Sequence, residues 1–377
     1  MSTILQEPLF LNPDNKRIRY PIGWLGKGRY KPGTLTVIKV SDNSNIPITE
    51  EDNGVFYNFN SPLGDGVYTD YTVSYEVRDE DLEFSEGTIG SKYEGEEYFL
   101  FPNWLEAPGV DVAFWVGKYI ASRRDSTTTN KGVSNIPVSM KNKRPWTNNK
   151  FYLVPDCIMK TKGKRFHMML NREWTNIAFW MHHFGFDNDI KGNIQGYSNL
   201  SNADGAGTNA TSFKDGENGK TLTGMGPNTW NHNLLDGGIT DIIGNVWEQI
   251  EGIRIYYQKN YVVYNENNEY DITKANSNGI VKASSGNISY INDFDNNLLD
   301  ENFKYDALPI SDSNGINVSV QGDYLDYSKG NNPYSICYRS GSCFAGAHCG
   351  VWALGLSHDR TYSSWHRGFR LVAALSN

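Results

Sequence analysis

The run GVWALGLS near the C-terminus limits what this chain can fold into more than any other segment. In residues 351–357, Val351, Ala353, Gly355 and Ser357 alternate with Trp352, Leu354 and Leu356. A period of two is the mark of a strand with one buried face. The bulky set is therefore predicted to point inward, and the set holding Gly355 and Ser357 outward. Gly368 to Ala374 reads as a second short strand, with Ser357 to Arg367 as a polar and aromatic loop between the two. Phe344, His348, His358, Tyr362, Trp365 and His366 fall at the rim of this strand–loop–strand. Segment 340–368 contains neither Lys nor Glu, the residues that solvated faces favour. Its aromatic and Arg side chains are instead of the kind that anchor binding surfaces, so the segment is expected to touch a partner.

Upstream, residues 1–90 read as a small all-β domain for assembly or attachment. TLTVIKVS (34–41), GVFYNF (54–59) and YTDYTVSYEV (68–77) alternate or carry β-branched runs between turn residues. The polar stretch 86–97 reads as a linker. From residue 98 the texture changes. DVAFWVGKYIAS (111–122) is predicted as a strand and NREWTNIAFWMHHFGF (171–186) as the main helix. Trp174, Ile177, Ala178 and Met181 make one stripe of that helix, and Asn171 to Glu173 offer an N-terminal cap and favourable charge. Residues 192–230 are expected to be mostly loop. ITDIIGNVWEQIEGIRIYY (239–257) is predicted as a buried strand pair around Gly244, and 258–335 as a long excursion of short strands and loops.

A net charge of −8 without a dense basic run argues against nucleic acid, because a phosphate backbone needs a basic face. No apolar stretch reaches transmembrane length, and MSTILQEPLFLNPDNKR lacks the shape of a signal peptide, so neither membrane insertion nor signal-directed export is expected. Cys157, Cys337, Cys343 and Cys349 are too few and too uneven for a disulfide framework. His182 and His183 are adjacent and cannot both face one ion on a helix, with His167 further upstream. Asp293, Asp295 and Asn297 begin like a calcium loop, but Leu298 stands where a turn glycine is needed and Lys304 where a closing carboxylate is needed. No metal ligand set is therefore assigned. Trp247 reads as core and Glu248 as a residue that caps or pairs within the sheet, rather than as catalytic groups.

Four segments taken together resemble a known family: FWVGKYIAS, REWTNIAFWMHHFG, IIGNVWEQIEGIRI and the closing RSGSCFAG…CGVWALGLS…GFRLVAAL. The set is similar to the C-type-lectin-type fold as found in formylglycine-generating-enzyme-like domains. Within that group it most resembles the variable proteins of diversity-generating retroelements, whose best-known members are the tropism determinants of phages. The resemblance covers about residues 98–377. It implies an α+β fold, a C-type-lectin-type domain preceded by the small all-β domain, with a variable region at about 338–371. In that family, adenine-directed mutagenesis rewrites Asn codons of the form AAY near the C-terminus while scaffold codons stay fixed. Ala345, His348, Gly355, Ser357, His358, Tyr362, Ser364 and His366 are all reachable from AAY by changing only its adenines. Arg367 is reachable from an Asn codon, and Cys343 and Phe344 from a Tyr codon; Trp365 is not reachable from AAY. Segment 338–371 contains no Asn, although the rest of the chain is rich in it.

The resemblance implies a ligand-binding set of Cys343, Phe344, Ala345, Ala347, His348, Gly355, Ser357, His358, Tyr362, Ser364, Trp365, His366 and Arg367. Tyr362, His358, His366 and Phe344 are the expected anchors, with Arg367 at the rim. Trp247, Gly350, Trp352, Leu354, Leu356, Gly368, Phe369 and Arg370 are the expected scaffold. The implied partner is a protein or cell-surface receptor, with no cofactor, although the fold often carries a structural calcium. A homo-oligomer, as in trimeric phage relatives, is expected, located in a virion tail or in the cytoplasm of a prophage-bearing bacterium. Two other readings stand beside this one. A formylglycine-generating-type oxidase would hold copper with paired Cys, but the spacing of Cys343 and Cys349 does not match that pair. Only His348 offers a nearby cation to activate a thiol, and Cys349 reads more simply as a small buried residue. The other reading is a phage structural protein that is not diversified.

Overall fold

The computed structural model describes residues 93–256 apart from 104, 106, 108, 112, 184–185, 187–188, 191 and 195–218, together with 334–345, 349–355 and 358–374. Elsewhere it describes 4–8, 10–11, 17–20, 36–39, 41–51, 56–59, 71–76, 262–264, 286–287 and 324–326. Helices and several antiparallel sheets are both present, so the class is α+β. The chain divides into two units, Met1–Trp115 and Val116–Ser376.

In the first unit, the strands are β1 (Ile4–Pro8), β2 (Phe10–Leu11), β3 (Arg17–Tyr20), β4 (Thr36–Lys39), β5 (Ser44–Ile46), β6 (Ile48–Glu51), β7 (Phe56–Phe59) and β8 (Tyr71–Glu76). They form two antiparallel sheets, ordered β1-β8-β4-β5 and β2-β3-β7-β6. Within each of the three strands expected between 34 and 77, the described residues 36–39, 56–59 and 71–76 form a strand. Asp42 makes the turn between β4 and β5, its carboxylate accepting the Ser44 N–H at 3.0 Å. β9 (Tyr98–Pro102) is buried along its length, and Phe101 packs on Phe114 with ring centroids 5.9 Å apart.

β10 (Ala113–Gly117) ends five residues earlier than the sequence run suggests, and a separate short strand, β11 (Ser122–Arg123), pairs with β12 (Pro137–Val138). Helix α1 (Val154–Lys162) starts with proline in its first turn, where a missing N–H costs nothing. β13 (Phe166–Met168) leads into helix α2 (Asn171–His183). Trp174, Ile177, Ala178 and Met181 are all fully buried, as their spacing predicts. So are Phe179 and Trp180 on other faces, so the helix is enclosed rather than amphipathic. The expected cap is divided between residues: Glu173 accepts the Leu170 N–H at 2.7 Å, as the third helical residue of a capping box does. The Asn171 Oδ1 accepts Nε and Nη2 of the buried Arg339 at 3.0 and 2.8 Å.

Residues 239–246 are not the first half of a strand pair. They form a loop locked by buried amides: Asn245 Oδ1 accepts the Thr221 N–H at 3.0 Å and Asn245 N–H donates to the Asn193 carbonyl at 2.8 Å. Gly244 sits there at φ +79, and a Cβ would lie 2.4 Å from the Asn193 oxygen, so only glycine fits. One long strand follows, β14 (Trp247–Tyr256), then β15 (Val262–Tyr264), β16 (Gly286–Asn287), β17 (Tyr324–Asp326), β18 (Tyr334–Ser340), β19 (Gly350–Gly355), β20 (Arg367–Phe369) and β21 (Leu371–Ala374). They build a mixed sheet: β14 pairs antiparallel with β15 and β18, β18 antiparallel with β19, β19 parallel with β17, and β20 parallel with β14. The turn residues Asp293, Asp295 and Asn297, and most of 258–335, lie outside the described residues.

The closing strand expected over Gly368–Ala374 is two strands on two partners. β20 joins β14, and β21 turns away to pair antiparallel with β13. Arg370 occupies the switch between them and is fully buried. β19 also departs from the half-buried reading: Gly350 through Gly355 are buried on both faces. One face meets α2, where Trp352 packs edge-on to Phe179 with centroids 4.7 Å apart and the Trp174 indole donates to the Val351 carbonyl at 2.7 Å.

Candidate functional site

The other face of β19 is covered by Tyr338 and Trp247 from β18 and β14, with the chain that follows β19 laid over Tyr338. At Gly355 a Cβ would stand 3.3 Å from Tyr338 Cβ and 3.6 Å from the Trp247 ring. Above Tyr338 lies Arg367, its Cζ 4.2 Å from the ring centroid. Above that guanidinium lies Tyr362, 4.4 Å from Cζ, and Tyr362 stacks on His358 with centroids 3.8 Å apart. Arg367 Nη2 also approaches His358 Nδ1 at 2.9 Å, which makes Nδ1 the acceptor of a neutral imidazole. Each cation–π contact contributes about 0.5–2 kcal/mol depending on desolvation, and together they hold the loop on its sheet.

A second aromatic group lies beside the first. Phe344 packs edge-on to Trp365 at 4.9 Å, and Trp365 edge-on to His366 at 4.9 Å. Lys220 stands 5.7 Å from the Trp365 ring centroid and donates to the Trp365 carbonyl at 2.8 Å. Ser364 Oγ meets His366 Nδ1 at 3.1 Å. Burial, with the charges of Arg367 and Lys220 adding to it, lowers the His366 pKa to about 4. The ring is therefore neutral near pH 7. The loop is fixed by main-chain bonds at both ends, Ile336 N–H to the His358 carbonyl at 3.1 Å and Trp247 N–H to the His366 carbonyl at 2.9 Å. Inside it, Asp359 Oδ1 accepts the Thr361 N–H at 2.6 Å and closes the tip.

The expected binding residues divide by exposure. Phe344 is 56% exposed and Tyr362 39%, and His358, Trp365, His366 and Ala345 are partly exposed. Cys343, Gly355, Ser364 and Arg367 are buried, so none of these four lies on the open surface. Arg367 in particular is covered rather than at the rim, because two tyrosine faces replace its hydration. Ala347, His348, Ser357 and the scaffold residue Leu356 lie outside the described residues. Trp247, Gly350, Trp352, Leu354, Gly368, Phe369 and Arg370 are all buried. Sequence reading missed Tyr338 and Lys220. The period of two through Ile336, Tyr338 and Ser340 is a signal for the first. Nothing local marks Lys220, which reaches the site only through tertiary folding.

The thiols of Cys337, Cys343 and Cys349 are enclosed. Cys349 is buried, its Sγ lies 3.1 Å from the Ser342 carbonyl, and burial pushes its pKa far up. Among the described residues no group of His, Cys, Asp or Glu is placed to hold a metal ion, and no helix is long and apolar enough to cross a membrane.

No family model and no curated protein matches the chain. Among solved structures it is similar to the Major Tropism Determinant I1 variant, at 13% identity and a TM-score of 0.31, with 91% of this chain and 73% of that one covered. The U1 and P3c variants of the same protein give a TM-score of 0.30 at 13% identity over the same shares.

Proposed function

We propose that the chain is a ligand- or receptor-binding protein whose recognition surface is the loop between β19 and β20 together with Phe344. One observation carries this reading: large aromatic side chains are held open to solvent on a backbone whose supporting strands are buried on both faces. A rigid base under exposed aromatics is the economy of a binding site, since ordering costs are met before the ligand arrives. Recognition is favoured over turnover. His366 is held neutral and the Cys349 thiol is pushed away from its reactive thiolate, so neither is poised for acid–base or nucleophilic work at neutral pH.

The finer reading is a C-type-lectin-type domain diversified by a retroelement and displayed on a phage tail. Its support is the absence of Asn from 338–371 and the codon reachability of the residues that surround the two aromatic groups. Multivalent display would raise the avidity of so small a patch. Two experiments test the proposal. Host-cell binding by the triple variant Phe344→Ala, His358→Ala and Tyr362→Ala must fall at least tenfold; unchanged binding sinks the surface assignment. Sequencing the DNA beside the gene must reveal a near-copy of codons 338–371 that differs at adenines and lies near a reverse transcriptase. Without that copy the protein is a fixed binding module.

A further inference from the structure

We propose that Arg367 is a receptor for a carboxylate group carried by the ligand, a two-point anion site built beneath Tyr362. The inference rests on the binding role just given and names the chemistry the surface would recognise.

The argument is a count of hydrogens. A guanidinium presents two flat edges, one made by Nε–H with one Nη2–H, the other by the second Nη2–H with Nη1–H. Arg367 is 4% exposed, and among the described residues only Nη2 of its three nitrogens has a hydrogen-bond partner, His358 Nδ1 at 2.9 Å. Nη2 has two hydrogens and gives one to His358. Whichever it gives, one edge keeps both of its hydrogens, because Nε and Nη1 have no partner. Two parallel N–H donors on a fixed edge match the two oxygens of a carboxylate.

The surroundings agree with that use. The π faces of Tyr338 and Tyr362 take up the guanidinium at 4.2 and 4.4 Å and leave its in-plane donors for recognition. Tyr338 lies in the layer beneath, where burial raises its pKa and the neighbouring Arg367 opposes that rise. Buried donors without partners are costly to a fold, and an Arg with two of them has an uncancelled demand for an anion. Asp359 does not meet it through Oδ1, which closes the loop tip on Thr361. Tyr362 is 39% exposed, and among the described residues its ring meets the His358 ring and the Arg367 guanidinium. Its outward rotation uncovers the guanidinium while Tyr338 remains as a floor.

Calorimetric titration of the full chain tests this, using N-acetylaspartate against the neutral N-acetylasparagine, glucuronate against glucose, and inorganic phosphate. Saturable binding of a carboxylate, absent for its neutral counterpart, is expected. The better of N-acetylaspartate and glucuronate tells whether the acid belongs to a peptide or a sugar. Arg367→Lys, which keeps charge but loses the flat edge, is expected to weaken binding about tenfold. Tyr362→Ala, a truncation at the surface, is expected to strengthen it several-fold by uncovering the edge; this arm decides the matter if Arg367→Lys does not fold. Absence of binding, binding indifferent to both substitutions, or phosphate preferred over every carboxylate overturns the site. The two readings fail separately. If Phe344→Ala abolishes host-cell binding while no carboxylate binds, the surface stands and the anion site falls.

Discussion

The Arg370 guanidinium meets the Glu248 carboxylate through two hydrogen bonds, Nη2 to Oε1 at 2.6 Å and Nε to Oε2 at 3.0 Å, with neither side chain open to solvent. The remaining donors reach the carbonyls of Gly117, Lys118 and Thr240 at 2.9–3.1 Å. One side chain at the switch between β20 and β21 thus ties β14, through Glu248, to the end of β10, through Gly117. Removing one member strands a buried charge, so Glu248→Gln or Arg370→Met is expected to cost about 3–5 kcal/mol. Urea denaturation of both single variants and the double variant measures it. The double variant should be less unstable than the sum of the singles.

Stability should fall as pH drops below about 6. His232 is fully buried, its Nδ1 accepts the Ile239 N–H at 2.9 Å, and burial lowers its pKa from 6.5 to about 3. His366 is lowered to about 4. Between these values and 6.5 the unfolded chain holds protons that the folded chain refuses, so protonation favours unfolding as pH falls. Each such group removes up to about 1.4 kcal/mol per pH unit across its window. Denaturation midpoints at pH 7, 6, 5 and 4 check the slope. His232→Gln should flatten it between pH 6 and 4, and a slope that survives unchanged refutes the assignment.

Position 355 should accept a small side chain and resist a large one. A methyl at Gly355 meets Tyr338 Cβ at 3.3 Å, a contact that a shift of a few tenths of an ångström relieves. Gly355→Ala is therefore expected to cost less than about 1 kcal/mol, and Gly355→Tyr about 1–3 kcal/mol or more from overpacking. Thermal melts of the pair decide this, and equal stability of the two variants would show that the stack over β19 is looser than described.

Thiol labelling should be selective. Cys337, Cys343 and Cys349 are buried, whereas Cys157 is partly exposed, with its Sγ 2.9 Å from the Asn135 carbonyl. Burial raises the Cys157 pKa as well, so even this thiol should react slowly at pH 7. Mass spectrometry after mild alkylation is expected to find label on Cys157 first, and on the other three only after unfolding. Fast native labelling of Cys343 or Cys349 would revive the oxidase reading.

What could be read from the sequence was what short-range periodicity encodes. The stripe of Trp174, Ile177, Ala178 and Met181 located α2, and the alternation of Trp352 with its neighbours located β19. What escaped was whatever a distant segment supplies. The outer face of β19 is covered by Tyr338, which pairs opposite Gly355 from another strand. Arg367 loses its solvent to rings at 338 and 362, and no local pattern announces that. Asn171 was legible as a cap by residue type, yet Arg339, far along the chain, claims its carbonyl. The break at Arg370 was invisible because an apolar run reads as one strand whether it serves one sheet or two.

The bonds that hold the ends of the loop between β19 and β20 bear on which substitutions it can take. They use the carbonyl oxygens of His358 and His366, not their imidazoles. A carbonyl is common to every amino acid, so these two bonds are indifferent to which side chain stands at either position. Substitution at 358 or 366 thus spares these two bonds, though it removes the imidazoles that meet Arg367 and Ser364, while positions 355 and 367 lie buried in the packing itself.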